Sequence, residues 1–421
     1  MLRPRPIKNS KPYTASAAES EDPDSVRGLR LAHKRTSNGP KPKSASPFRW
    51  NTIVPTQRRE RATEGLLLGC AIGEALALPR DNLHPRVALK LFGRNPLHYR
   101  FQPGTGITSH RTHGLLMSFQ AILRSKTDPQ IYATNVSRRI GWYQRGFPIR
   151  HFMIHLGRLL GVGKRSDDSM NFGLADDPLI RSLVVSVSIQ GTGDSATSWF
   201  QKNVSVSHAD PRVLHACTLV GHAAQLAQMI DPKEFDPANV LEQLIQTTDE
   251  PTLNGMLIQL RTGLKKNRSL AFVATEFGWD AGIPSNVFAT AIIGIYGWLR
   301  HHDRFRYTVE RTILLGGACA GAASIAGGLS GILLGKRGIP SEWIDRLSLY
   351  PHGNEWQERL IERIKDWPHG ADDIQRVTSL PSMILGQLLR NSLFSAFRAI
   401  HLIIRFPMRL TQFSVSKHRS R

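Results

Sequence analysis

An all-α fold is what the sequence predicts, and three observations predict it. Apolar residues recur at intervals of three and four through one segment after another. Several of these segments open on a helix-capping residue. No run alternates apolar and polar residues as a half-buried strand would. With 421 residues and an apolar fraction of 41%, the chain can bury one large core, so a single soluble, globular domain with extensions is expected.

Residues 1–57 mix Pro, Ser, Lys and Arg with little apolar periodicity, so burial cannot offset the entropy of ordering them and a disordered basic arm is expected. The stretch lacks the apolar segment of a signal peptide, and its cluster of acids argues against a transit peptide. The folded part is expected to run over 58–370. Its first helix, RRERATEGLLLGCAIGEALALP, ends at Pro79, and THGLLMSFQAILRS repeats the helical spacing. DPRVLHACTLVGHAAQLAQMI opens with Asp210 as N-cap and Pro211 at the first helical position; PSNVFATAIIGIYGWLRHH opens with Ser285 or Asn286 as cap.

Thr312–Gly335 carries no charge and is long enough to cross a bilayer. Seven of its residues are glycine and only eight are Leu or Ile, so insertion would be weakly driven and a buried helix is the better reading. No Lys-Ser or Lys-Thr pair follows its glycines, which excludes a Walker-type phosphate loop. Gly327, Gly331 and Gly335 fall four apart, as do Gly65, Gly69 and Gly73, and each stripe would let another helix approach closely.

The C-terminal extension, 371–421, contains a helical pattern over Leu385–Phe406 that Pro407 should end. Leu389, Leu393, Phe397, Ile400 and Ile404 share one side of it, and Arg390, Arg398 and Arg405 fall within an arc of roughly 80°. Such a helix could lie on an anionic membrane or dock its apolar face on the core. The net charge of +22 is uneven: 1–57 and 390–421 each carry +7, leaving +8 for the middle. Basic ends of this kind suit an anionic membrane or a nucleic acid, or are simply solvated. Cys70, Cys217 and Cys319 are far apart, with no zinc spacing, so neither disulfides nor zinc are indicated and a reducing, cytoplasmic setting is expected.

Five segments taken together resemble a known family. GLLLGCAIGEALALPRDNL, HYRFQPGTGITSHRTHGLLMSFQAIL, VSHADPRV, NVFATAIIGIYGWLRHHDRF and LLGGACAGAASIAGGLSGILLGKRGIPSEWIDRL occur in the order and approximate spacing of the ADP-ribosylglycohydrolase family, which includes the dinitrogenase reductase-activating glycohydrolases. The similarity spans Arg59 to about Asp366. It implies a roughly orthogonal helical bundle holding two Mg²⁺ ions, which hydrolyses the bond from ADP-ribose to a protein side chain or small molecule. Mg²⁺ takes oxygen ligands in octahedral geometry, and two such ions can polarise ribose hydroxyls and a water.

Family members draw those ligands from a Ser/Thr-Asp-Asp-Thr segment and a Gly-Gly-Asp-Thr-Asp-Ser/Thr segment. Here the first reads SHRT: Ser109 and Thr112 match its ends, while His110 and Arg111 stand in the places of its aspartates. The second reads GGACAG: Gly316 and Gly317 match, but Ala318 and Ala320 replace aspartates and Gly321 replaces the hydroxyl residue. No carboxylate occurs anywhere from Phe101 to Arg124, so the loss does not depend on the alignment register. Of these ligand positions only Ser109 could still coordinate a metal, and no cofactor is expected.

By the same resemblance, Asp81 matches a position where the family often has a glutamate near the reacting ribose, and Glu74 stands where Gly-Asp is usual. These two are the weak catalytic candidates, each of which could equally be a plain helix-end acid. His208 matches a histidine near the substrate in relatives. GLADDPLIRS matches a Gly-Asn-Gly-Pro-x-Met-Arg-Ser pattern at Pro178, Arg181 and Ser182, with Asp176 and Asp177 replacing Asn-Gly. The substrate-binding candidates are therefore Ser109, His110, Arg111, Thr112, Arg181, His208, Gly316 and Gly317. The expectation is a degenerate member, inactive as a hydrolase, that retains at most metal-independent binding of ADP-ribose, a nucleotide or an ADP-ribosylated protein. An active hydrolase and a membrane-associated scaffold are the alternatives.

Overall fold

The computed structural model describes residues 54–145, 177–189, 196–367 and 380–417. All of them lie in one compact unit spanning Ser46–Arg421. The described residues form sixteen α-helices, and their only strands are β1 (Gly106–Ile107) and β2 (Leu347–Ser348), which pair in parallel. The all-α expectation holds.

Two helices make the centre: α1 (Thr56–Ala77) and α13 (Cys319–Leu334). The two glycine stripes meet each other. A Cβ added at Gly65 would stand 1.9 Å from the Gly331 carbonyl oxygen, at Gly69 2.1 Å from that of Gly327, and at Gly73 2.2 Å from that of Ala323. One series climbs as the other descends, so the helices are antiparallel and touch backbone to backbone. Every residue of α13 from Cys319 to Leu333 is buried, which is what an uncharged, small-residue helix requires. None of the described helices is long and apolar enough to cross a membrane.

Around this pair stand α5 (Asp177–Ser188), α7 (Pro211–Met229), α11 (Val287–Arg300) and α12 (Phe305–Ile313), all in contact with α13. The caps form as the sequence suggests. The Asp210 side chain accepts from the Arg212 N–H at 2.9 Å to start α7, and Asn286 rather than Ser285 accepts from Ala289 N–H at 2.8 Å to start α11. The shorter helices fill in the chain order: α2 (Pro85–Phe92), α3 (His110–Arg124), α4 (Pro129–Arg145), α6 (Ala196–Ser205), α8 (Pro237–Gln246), α9 (Pro251–Lys265), α10 (Leu270–Glu276), α14 (Ser341–Ile344) and α15 (Asn354–Asp366).

Two expectations need correction. Helix α16 runs from Ile384 to Lys417, past Pro407; a proline costs a helix one hydrogen bond and crowds one carbonyl, which a long helix can absorb by bending. Of the apolar face of α16, among the described side chains only Phe397 docks, half-buried against Leu78, Phe101 and Phe394. Leu389, Leu393 and Ile400 are 55%, 52% and 52% exposed, whereas Arg390, Asn391 and Phe394 on the other side are buried. Buried polar contacts decide the orientation. Arg390 donates to the Thr108 carbonyl and, at 3.2 Å, to the Tyr143 hydroxyl; Phe394 stacks on Phe101 at 5.2 Å. Helix α1 begins at Thr56, two residues before the expected start; the rest of the arm, 1–53, lies outside the described residues, as do 371–379 of the expected extension.

Candidate functional site

Three helix N-termini, those of α3, α5 and α13, each receive a carboxylate. A helix start exposes unpaired N–H groups and a partial positive charge, so an acid there is favoured. For α3 the acid comes from another helix. Ser109, its N-cap residue, makes no capping bond of its own and donates its hydroxyl to Glu74 Oε1. Glu74 Oε2 accepts from the Thr112 N–H at 3.1 Å and from Thr112 Oγ1 at 2.6 Å. The Arg111 guanidinium stands 3.7 Å from Glu74 Oε1, and Glu74 is fully buried. Glu74 thus caps α3 from α1.

Asp81 does the same for α13. Ala318, at the N-cap position, has no side chain to cap with, and the Ala320 N–H donates to Asp81 Oδ1 at 3.1 Å. Gly316 and Gly317 hold this arrangement rather than line an open pocket. Both have positive φ, 67° and 64°, a region natural for glycine. Gly317 accepts from Asn82 N–H at 2.7 Å and donates to the Leu83 carbonyl at 2.8 Å; Ile283 N–H donates to Gly316 at 3.1 Å. Three loops are pinned at this point, with Asp81 aimed at the helix start.

Asp177 is the first residue of α5, and its Oδ1 lies 3.4 Å from His110 Nε2. His110 and Arg111 therefore each face a carboxylate. Asp176 lies outside the described residues. Arg181 and His208 form a separate group. The Arg181 guanidinium is buried and donates to Asn203 Oδ1 at 2.9 Å, to the Asn203 carbonyl at 3.1 Å and to Ser207 Oγ at 2.9 Å. His208 Nδ1 lies 2.9 Å from that same Ser207 hydroxyl. This group ties α5 to α6.

Four residues outside the sequence candidates complete the neighbourhood: Tyr143, Arg390, His113 and Cys319. Burial pushes the Tyr143 hydroxyl up to about 12, and Arg390, Glu74 and Asp177 are all close enough to act on it. His113 is held well below the ordinary histidine range, first by burial and then by Arg390, His352 and His110. Burial also raises the Cys319 thiol, which keeps it protonated and a poor nucleophile. His113 has only a helical position in the sequence to mark it, and Arg390 reads as one charge of an amphipathic tail.

These donors do not fit a divalent cation. Both Glu74 oxygens are occupied by Ser109 and Thr112, and a guanidinium adjoins them, where its charge would repel Mg²⁺. Among the described residues no group of three or more His, Cys, Asp or Glu side chains is placed to hold a metal ion.

The sequence profile of the ADP-ribosylglycohydrolase family matches residues 55–372. The chain belongs to the ADP-ribosylglycohydrolase family. ADP-ribosylarginine hydrolase Tri1 of Pseudomonas putida (strain GB-1) is 23% identical over 369 residues, which cover 82% of this chain and 90% of that protein. A solved structure described as an ADP-ribosylglycohydrolase-related protein complex aligns with a TM-score of 0.50 and 19% identity, over 73% of this chain and 98% of that one, and shares the helical fold.

Proposed function

We propose that this member of the family is inactive as a hydrolase and binds ADP-ribose, or a protein carrying it, without metal. One observation carries the reading. Both positions where the family pattern has aspartates in the first motif hold basic residues, and each faces an acid: Arg111 with Glu74 at 3.7 Å and His110 with Asp177 at 3.4 Å. An internal ion pair and a histidine–carboxylate contact would then stand in for two cations and the carboxylates that hold them. Hydrolysis by this family's chemistry depends on those ions, and Lewis-acid assistance cannot come from a histidine or a guanidinium.

Arg111 and Arg390 are the donors a diphosphate would need here, set among Glu74, Asp81 and Asp177. His110 has 23% of its side chain exposed and is the group a ligand would meet first. A competent hydrolase is the second reading, favoured by the ADP-ribosylarginine hydrolase that matches over 82% of the chain.

Calorimetric titration of ADP-ribose in EDTA, repeated with excess Mg²⁺, tests the proposal. Equal binding under both conditions, together with no release of ADP-ribose from ADP-ribosylated arginine, is the expected result. Release stimulated by Mg²⁺ would establish the hydrolase instead, and no heat in either titration would remove ADP-ribose as the ligand.

A further inference from the structure

We infer that the outward face of α16 is a docking surface for an anionic lipid bilayer. The helix is held to the body by Arg390, Asn391 and Phe394, by a hydrogen bond between His401 Nε2 and the Phe101 carbonyl at 2.8 Å, and by stacking of the His401 ring on Phe101 at 4.6 Å. That leaves the opposite face turned away from the core. Leu385, Leu389, Leu393 and Ile400 are 82%, 55%, 52% and 52% exposed, with Ala396 exposed between the last two. At 100° per residue these five side chains fall within an arc of about 80°, a continuous apolar strip more than four turns long. Apolar residues at such spacing ordinarily face a core, and here the core already has the other side of the helix.

Charge selects the occupant. From Ile374 to Arg421 the sequence has no acidic residue, and beyond the buried Arg390 it has six basic ones. The segment on which α16 rests continues the pattern: Asn82–Thr127 contains no acid, and its Arg86, Lys90, Arg94 and Arg100 are exposed. A second copy of this chain would bring like charges together with no carboxylate on either helix to pair them. Nucleic acid would take the charge but leave the leucines in water. A bilayer with acidic headgroups accepts both, taking the strip into its acyl boundary and drawing the cationic chain to its surface. The helix would lie in the interface, since no described helix is long and apolar enough to cross. This surface is independent of whether the candidate site binds ADP-ribose.

The test is flotation of the full-length protein with phosphatidylcholine vesicles, with and without phosphatidylserine. It is repeated on the triple variant Leu389→Gln, Leu393→Gln, Ile400→Gln, which removes the strip at constant charge. The three side chains are exposed, so the variant should unfold at the wild-type midpoint. Wild-type protein is expected to float only with the phosphatidylserine vesicles, and the variant to lose binding at least about tenfold, as the removed apolar burial requires. Equal flotation of wild type and variant would overturn the proposal and point to the basic termini alone. A wild type that ignores both vesicles would also overturn it, whether it elutes as a dimer that the variant dissolves or is retained on a DNA duplex.

Discussion

Glu74 meets four demands at once: the hydroxyls of Ser109 and Thr112, the Thr112 N–H in the first turn of α3, and the charge of Arg111. Removing Arg111 would leave a buried carboxylate with its hydrogen bonds but no counter-charge, so Arg111→Met should cost about 2 kcal/mol, below the range for a pair with no other partners. Glu74→Gln should cost a similar amount. In the double variant neither charge is left alone, and the combined loss should fall short of the sum by about 1 kcal/mol or more. Urea unfolding of the four proteins measures this; strict additivity would mean that the 3.7 Å contact carries no coupling. Adding EDTA should leave the wild-type midpoint unmoved, because the charge that balances Glu74 is part of the chain, and a lower midpoint would expose a bound metal. His110, Arg111 and Asp177 can each be picked out in the sequence. Their pairing cannot, since Asp177 lies 67 positions from His110 and the fold alone brings them together.

At the scale of elements, the glycine stripes were the most legible feature, because spacing of four on two uncharged helices has few physical uses. The sequence left the partner of each stripe open; in the fold it is the other stripe. Gly69→Ala should therefore separate α1 from α13, since its Cβ would sit 2.1 Å from the Gly327 carbonyl oxygen and backbone cannot give way as a side chain can. A loss of about 3 kcal/mol is expected, at the upper end for overpacking. Gly114, which has nothing within 4 Å of an added Cβ, serves as the control: Gly114→Ala should be neutral or slightly stabilising, since alanine favours a helix. Thermal unfolding compares the two, and equal midpoints would mean that the central pair tolerates separation. For α16 the period was legible and the orientation was not. Periodicity sorts apolar from polar faces, but Arg390 is placed by Thr108 and Tyr143, which are 282 and 247 positions away.

Across the whole molecule the net charge of +22 makes acid a threat, and buried histidines set where it acts. Burial holds His352 and His222 at about 4, against an ordinary value of 6.5. His352 lies beside His113 and Trp356, and Arg390 further opposes its protonation. Since the unfolded chain takes up these protons and the folded one does not, stability rises with pH between about 4 and 6.5. The contribution of each histidine is complete above pH 6.5 and drains as the pH falls toward 4. Each can account for at most about 1.4 kcal/mol per pH unit within that window, so roughly 2 kcal/mol apiece should be lost between pH 7 and 5. Growing self-repulsion of a cationic chain acts in the same direction, which is why a falling midpoint alone would not identify the cause. The variant His352→Gln separates the two. It cannot take up a proton, so its stability should fall less steeply than that of the wild type between pH 7 and 5, while the part due to net charge persists. Parallel slopes for the two proteins would show that His352 is protonated as readily in the folded chain as in the unfolded one, and that the cluster joining α3, α15 and α16 is wetter than its burial indicates.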